Sequence, residues 1–213
     1  MKKLFSLLLA AAMLLTLAAC GATNADSNAA DEPKNDAAAD TADPAPDDTT
    51  PESTGGKVLV AYFSATGHTK TIAEYLQTAL DADLYEIVPQ EPYTDADLDY
   101  NTDGCRANRE QNDDSARPAI SGSVEDMAGY DVVFIGYPIW WGQAPKIVYT
   151  FLESYDFSGK TIVSFCTSGG SGIDGSLGGL QALASDADWL TGQRFSSGAS
   201  EEEVQSWVDH LGL

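Results

Sequence analysis

Three stretches of the chain are apolar at nearly every position and then stop abruptly in hydroxyl, proline or glycine residues. They are Val58–Phe63, which runs into Ser64, Asp131–Tyr137, which runs into Pro138, and Thr161–Cys166, which runs into Thr167. Runs of this length, without period-two alternation, predict strands buried on both faces. A helix is expected over about Thr69–Leu80, and a second strand over Ala82–Val88 with Asp81 in the turn before it. Lys146–Tyr155 reads as a helix introduced by Pro145, whose fixed φ suits a first turn. Gly178–Ala184 reads as helix and Trp189–Phe195 as a weaker fifth strand. Ser200-Glu201-Glu202-Glu203 forms a capping box for a last helix through Leu211. From Pro89 to Pro118 the chain is polar and proline-bounded, with helix expected only around Cys105–Asn112. Strands alternating with helices predict an α/β domain: a parallel sheet with helices on both faces, joined by right-handed crossovers. Ligands of such sheets sit at the carboxyl ends of the strands, and the three abrupt polar loops fall there.

The N-terminal residues are of another kind. Lys2 and Lys3 precede an apolar run from Leu4 to Leu17, too short and wrongly flanked for a comfortable membrane span, which reads as a targeting leader. Its ending, Leu17-Ala18-Ala19-Cys20, resembles the lipobox of bacterial lipoproteins. That resemblance implies a signal peptide over 1–19, cleavage before Cys20, lipidation of Cys20 and a tether to the outer face of a membrane. Residues 21–56 carry nine acids against Lys34 alone and no aromatic residue. Too little apolar surface is present to offset the entropy of ordering, so 20–56 reads as a disordered acidic linker. The remaining 57–213 is one domain of ordinary size, with eight basic residues against 24 acids. That balance argues against nucleic acid as a partner and against flat adhesion to anionic lipid. Export permits a disulfide, but Cys105 and Cys166 stand in unlike contexts and are not expected to pair. Two histidines and two domain cysteines give no support to a zinc or iron–sulfur site.

The first loop carries the most specific chemistry. Ser64-Ala65-Thr66-Gly67-His68-Thr69 connects a buried strand to a helix N-terminus, where unpaired N–H groups and the helix dipole favour a phosphate. Gly67 lets the backbone approach closely, and Ser64, Thr66 and Thr69 offer neutral O–H donors. No lysine stands where a nucleoside-triphosphate loop needs one, and no second glycine follows to make a dinucleotide fingerprint. The ligand these residues suit is a single phosphate held by neutral donors.

This hexapeptide resembles the phosphate loop of the flavodoxin-like family, Ser/Thr-x-Thr-Gly-x-Thr, at every fixed position. Tyr137-Pro138-Ile139-Trp140-Trp141-Gly142 is similar to the segment with which that family lines a flavin ring. Thr167-Ser168-Gly169-Gly170-Ser171-Gly172 resembles the loop that completes the ring and ribityl contacts. The resemblance covers essentially all of 57–213. It implies a flavodoxin-like doubly wound five-stranded parallel sheet, order 2-1-3-4-5, with FMN as cofactor. Carried onto this chain, the FMN contacts are Ser64, Ala65, Thr66, Gly67, His68 and Thr69, then Pro138, Ile139, Trp140, Trp141 and Gly142, then Thr167, Ser168, Gly169, Gly170 and Ser171. No side chain is expected to be catalytic, because the flavin carries the redox chemistry and the protein tunes it. Adjacent strand-end residues point in different directions, so one of Trp140 and Trp141 is expected on the ring, without the sequence choosing between them.

Other residues carry less. His68 can pair with the phosphate or face water. Cys166 reads as a small core residue near the ring rather than a nucleophile. Arg106, Arg109 and Arg117 read first as members of solvated ion pairs, and His210 as structural or solvated. The function implied is an exported, membrane-tethered FMN redox protein that passes electrons to a redox partner protein. A reductase of quinones or other small-molecule acceptors, roofed by Pro89–Pro118, is the alternative, and a binding module that has lost its flavin is a third.

Overall fold

The computed structural model describes residues 56–213; the expected leader, Cys20 and the linker up to residue 55 lie outside the described residues. The three apolar runs form adjacent parallel strands, β1 (Val58–Tyr62), β5 (Val132–Pro138) and β6 (Thr161–Thr167). They are flanked by β2 (Asp83–Glu86) on one side and β7 (Asp188–Phe195) on the other. The order β2-β1-β5-β6-β7 is the expected 2-1-3-4-5 once the strands are counted within this sheet.

Helices cover both faces, which explains why the central strands show no polar side. α1 (His68–Leu80) and α5 (Glu201–Asp209) pack on Val60, Tyr62, Phe134, Val163 and Phe165. α3 (Lys146–Glu153) and α4 (Asp174–Leu183) cover Leu59, Ala61, Val133, Ile135 and Ile162. Each fully buried Val, Ile, Leu or Phe contributes about 1.5–3 kcal/mol, and these two layers hold most of them. Gly136 in β5 is dictated by that packing, since a Cβ there would lie 2.1 Å from Phe165 Cζ. The last helix begins as its capping box requires, with Ser200 Oγ accepting the Glu203 N–H at 3.2 Å.

Two elements differ from expectation. The second strand stops at Glu86, and Val88–Pro89 (β3) leaves the main sheet to pair antiparallel with Ile120–Ser121 (β4). Pro89 has no N–H for a ladder, which favours such an edge position. The segment between β3 and β4 is thereby pinned at both ends, with Gln90 N–H donating to Ala119 C=O at 2.8 Å. Helix α4 starts at Asp174, four residues before the expected Gly178, because Ser176 is buried and its Oγ bonds the Ile173 carbonyl at 2.6 Å. Cys105 caps the short α2 (Arg106–Gln111), its sulfur accepting the Asn108 N–H at 3.4 Å. Cys105 and Cys166 are both buried and free.

Candidate cofactor site

Because β1, β5 and β6 are parallel and adjacent, the loops that follow them emerge along one edge of the sheet. The order reverses between β1 and β5, which is the switch point where a crevice opens.

The first loop turns on Gly67, whose φ of 89° is left-handed and whose added Cβ would meet nothing within 4 Å. Ser64 Oγ accepts the Gly67 N–H at 3.1 Å, fixing the turn while leaving the Ser64 proton free to donate. α1 begins immediately after, and Thr71 N–H is the first to bond back, to Gly67 C=O at 3.1 Å. The N–H groups of His68, Thr69 and Lys70 therefore have no intrahelical acceptor and end a helix at this loop. Thr66 and His68 are exposed, whereas Thr69 is buried, its hydroxyl 2.8 Å from the Thr167 hydroxyl. Thr69 thus ties the first loop to the third, a contact its place in the motif did not disclose.

The second loop is a tight reversal. Trp140 and Gln143 exchange backbone hydrogen bonds of 2.9 Å each way, and Trp141 (φ 47°) and Gly142 (φ 78°) between them are both left-handed. This is the primed type I turn, whose central residues are ordinarily Asn and Gly. A left-handed tryptophan costs roughly 1–2 kcal/mol. Trp141 is 47 % exposed. Trp140 turns inward, its ring edge-on to Phe63 at 5.5 Å and to Tyr93 at 5.3 Å. Both indoles border the same cleft of about 460 Å³, together with Ala65, Thr66, Pro138 and Ile139. The first and second loops thus share one cavity, of a size usual for small-molecule sites.

The third loop does not line that cleft but is bonded to the first and second loops through Thr167. Thr167 is buried and its C=O accepts the Ile139 N–H at 3.0 Å, while Ser168 N–H donates to Phe195 C=O at 3.1 Å. The hydroxyl of Ser168 donates to the Ser171 carbonyl and accepts the Gly170 N–H at 3.3 Å. Gly169 and Gly170 face open space, with nothing within 4 Å of an added Cβ. Gly175 is constrained, since its Cβ would lie 2.9 Å from the Gly142 carbonyl, so the second loop and α4 touch backbone to backbone.

The polar insertion supplies the far wall. Leu98, Tyr100 and Ala107 line the cleft opposite the loops. Tyr93 sits against Trp140 and Phe63, with the Arg106 guanidinium 4.2 Å from its ring centre and Arg106 paired to Glu110 at 2.7 Å. Burial, then the hydrogen bond to Glu110, pushes the Tyr93 hydroxyl well above the usual phenol range. The lip from 91 to 103 carries Glu91, Asp95, Asp97, Asp99 and Asp103 without one basic residue. The Thr94 N–H on Asp97 and the Thr102 hydroxyl on Asp99 hold those carboxyls below the usual range, so the lip stays negative. Arg117 makes a two-pronged pair with Glu153 at 2.7 and 2.8 Å, Arg109 donates to the Gly104 carbonyl, and the His210 ring bonds the Ser206 carbonyl. None of these lines the cleft. Gln111 went unnoticed in the sequence: its side-chain amide bonds the backbone of the second loop, a contact with no motif to announce it.

A parallel 2-1-3-4-5 sheet whose first and second loops border one cleft at the switch point, with a helix starting directly after the first loop, defines a mononucleotide-binding α/β domain. Residues 57–211 match the family profile for flavodoxin. The chain belongs to the flavodoxin family. Among solved structures, a candidate flavoprotein from Bacteroides eggerthii is 46 % identical, with a TM-score of 0.70 over 75 % of this chain and 99 % of that one. A second, from Bacteroides uniformis, is 44 % identical, with a TM-score of 0.70 over 73 % and 99 %. A flavoprotein from Lactobacillus acidophilus, solved in complex with FMN, is 26 % identical, with a TM-score of 0.57 over 75 % and 100 %. No curated protein matches the chain.

Proposed function

We propose that the cleft holds FMN and that the protein transfers electrons through it. The observation that carries this reading is the shared cavity: Ala65 and Thr66 of the phosphate-suited loop and the two indoles of the aromatic turn border the same 460 Å³. The residues fit the group. The free N–H groups of His68, Thr69 and Lys70 and the Thr66 hydroxyl suit a phosphate, and the glycines at 142, 169 and 170 leave space for a flat ring to approach. When bound, the flavin supplies one- or two-electron chemistry. The chain's part is to anchor the phosphate, stack an indole on the ring and surround the cleft with negative charge. The acidic lip disfavours added electron density and so lowers the potential of what is held there.

A reductase acting on quinones or similar acceptors is the second reading, and Leu98, Tyr100 and Ala107 favour it by giving the cleft a further wall from the insertion. Turnover with a nicotinamide donor and a quinone separates the two. We propose also that Cys20 is lipidated and tethers the domain outside the cytoplasmic membrane, on the strength of the leader's pattern; loss of membrane association in C20A tests this. The FMN reading is tested by titrating the flavin-free protein with FMN and riboflavin. Tight FMN binding with quenched fluorescence, and riboflavin at least about tenfold weaker, is expected, since an anchored phosphate contributes charge-assisted hydrogen bonds. A protein that ignores both flavins would refute it.

A further inference from the structure

Gln111, the last residue of α2, is half-buried and divides its amide between the second loop and the start of α3. Its Nε2 donates to the Trp140 carbonyl at 3.1 Å and to the Ala144 carbonyl at 3.2 Å. Its Oε1 accepts the Lys146 N–H at 3.2 Å, one of the groups that α3 leaves without an intrahelical partner. Two carbonyls on one end and one N–H on the other fix which end of the amide is nitrogen. The two stems of the Trp141–Gly142 turn and the start of α3 are thus clamped by one side chain from the insertion.

The turn has reason to need a clamp. Trp141 is left-handed, and nothing in its side chain favours that conformation over an extended one. The peptide between Trp140 and Trp141 is planar, so holding the Trp140 carbonyl toward Gln111 and the Gln143 N–H points the Trp141 N–H the opposite way. We infer that Gln111 is a positioning residue for the cofactor, holding the Trp141–Gly142 turn in the shape that receives the flavin ring. The inference rests on the FMN reading and gives the insertion a second task besides walling the cleft. Glutamate at this place keeps the length but has no donor for the two carbonyls.

The test compares Q111M and Q111E with the unsubstituted protein in titrations with FMN and with riboflavin, alongside the fluorescence and reduction potential of the bound flavin. Because the clamp acts on the ring and not on the phosphate, both substitutions should weaken FMN and riboflavin by the same factor, about tenfold for the two amide-donated hydrogen bonds that both remove. Fluorescence quenching should be reduced and the potential shifted. T66A, at the phosphate loop, should weaken FMN while leaving riboflavin unchanged. Wild-type affinity, quenching and potential in Q111M, or in Q111E if Q111M does not fold, would overturn the inference. So would a loss confined to FMN. If the unsubstituted protein binds neither flavin, the FMN reading itself fails and the inference falls with it.

Discussion

Substituting Thr69 by valine isolates one buried hydrogen bond between two loops of the site. Thr69 and Thr167 are 1 % and 6 % exposed, and their hydroxyl oxygens are 2.8 Å apart. Valine has nearly the shape of threonine and the same branching at Cβ, so packing and helix propensity change little. What changes is that the Thr167 hydroxyl loses its partner where water does not reach it. An orphaned buried hydroxyl costs about 1–3 kcal/mol, and T167V should cost a similar amount for the same reason. The double variant leaves no orphan and should be close to neutral, so the two losses are strongly non-additive. In a domain of this size each kcal/mol moves the Tm by about 2–4 °C. Urea unfolding of the flavin-free protein followed by circular dichroism measures all three variants, with T69S as a control that keeps the hydroxyl. Additive losses in the double variant, or T69V within about 0.3 kcal/mol of wild type, would show that this pair does not hold the loops together.

Three further expectations follow from the same geometry. W141G should relieve the left-handed strain, leaving the flavin-free protein up to about 1 kcal/mol more stable, while weakening FMN because a stacking surface is gone; calorimetry with and without FMN checks both, and unchanged FMN affinity counts against Trp141 as the stacking residue. Burial pushes the Cys166 thiol up to about 12, so at pH 8 the folded protein should leave it unmodified by iodoacetamide and expose it only in denaturant. The hydrogen bond from Arg117 holds the Glu153 carboxyl below its ordinary value, so the pair's stabilisation is present above the unfolded-state pKa of about 4.3 and is lost as pH falls through the lower folded value. Both groups are partly exposed, so the contribution is below about 1 kcal/mol, and E153Q should flatten the stability curve between about pH 5 and 3 by no more than that.

The sheet was legible because burial on both faces removes alternation, and Val58–Tyr62, Val132–Pro138 and Thr161–Thr167 show that directly. The first loop was legible because glycine, hydroxyls and a helix start are a local chemical pattern. What the sequence hid depends on contacts between distant segments. Gly175 looks like loop composition, yet it sits in a helix whose first turn lies against the Gly142 carbonyl. Tyr93 and Gln111 belong to a stretch whose polarity reads as surface, and their partners Trp140 and Ala144 lie some thirty or more residues onward. Strand β2 ended early because the chain leaves the sheet so that Val88 and Pro89 meet Ser121 and Ile120, a pairing with no local signature.

The parallel sheet also decides where the chain joins the domain. Every strand of the five-stranded sheet runs from the pole where residue 57 enters to the pole where the three loops gather, and β1 alone spans about 17 Å at roughly 3.3 Å per residue. The chain ahead of residue 57 therefore joins the domain at the pole opposite the cleft, and the lipid anchor proposed at Cys20 would attach the domain by that pole.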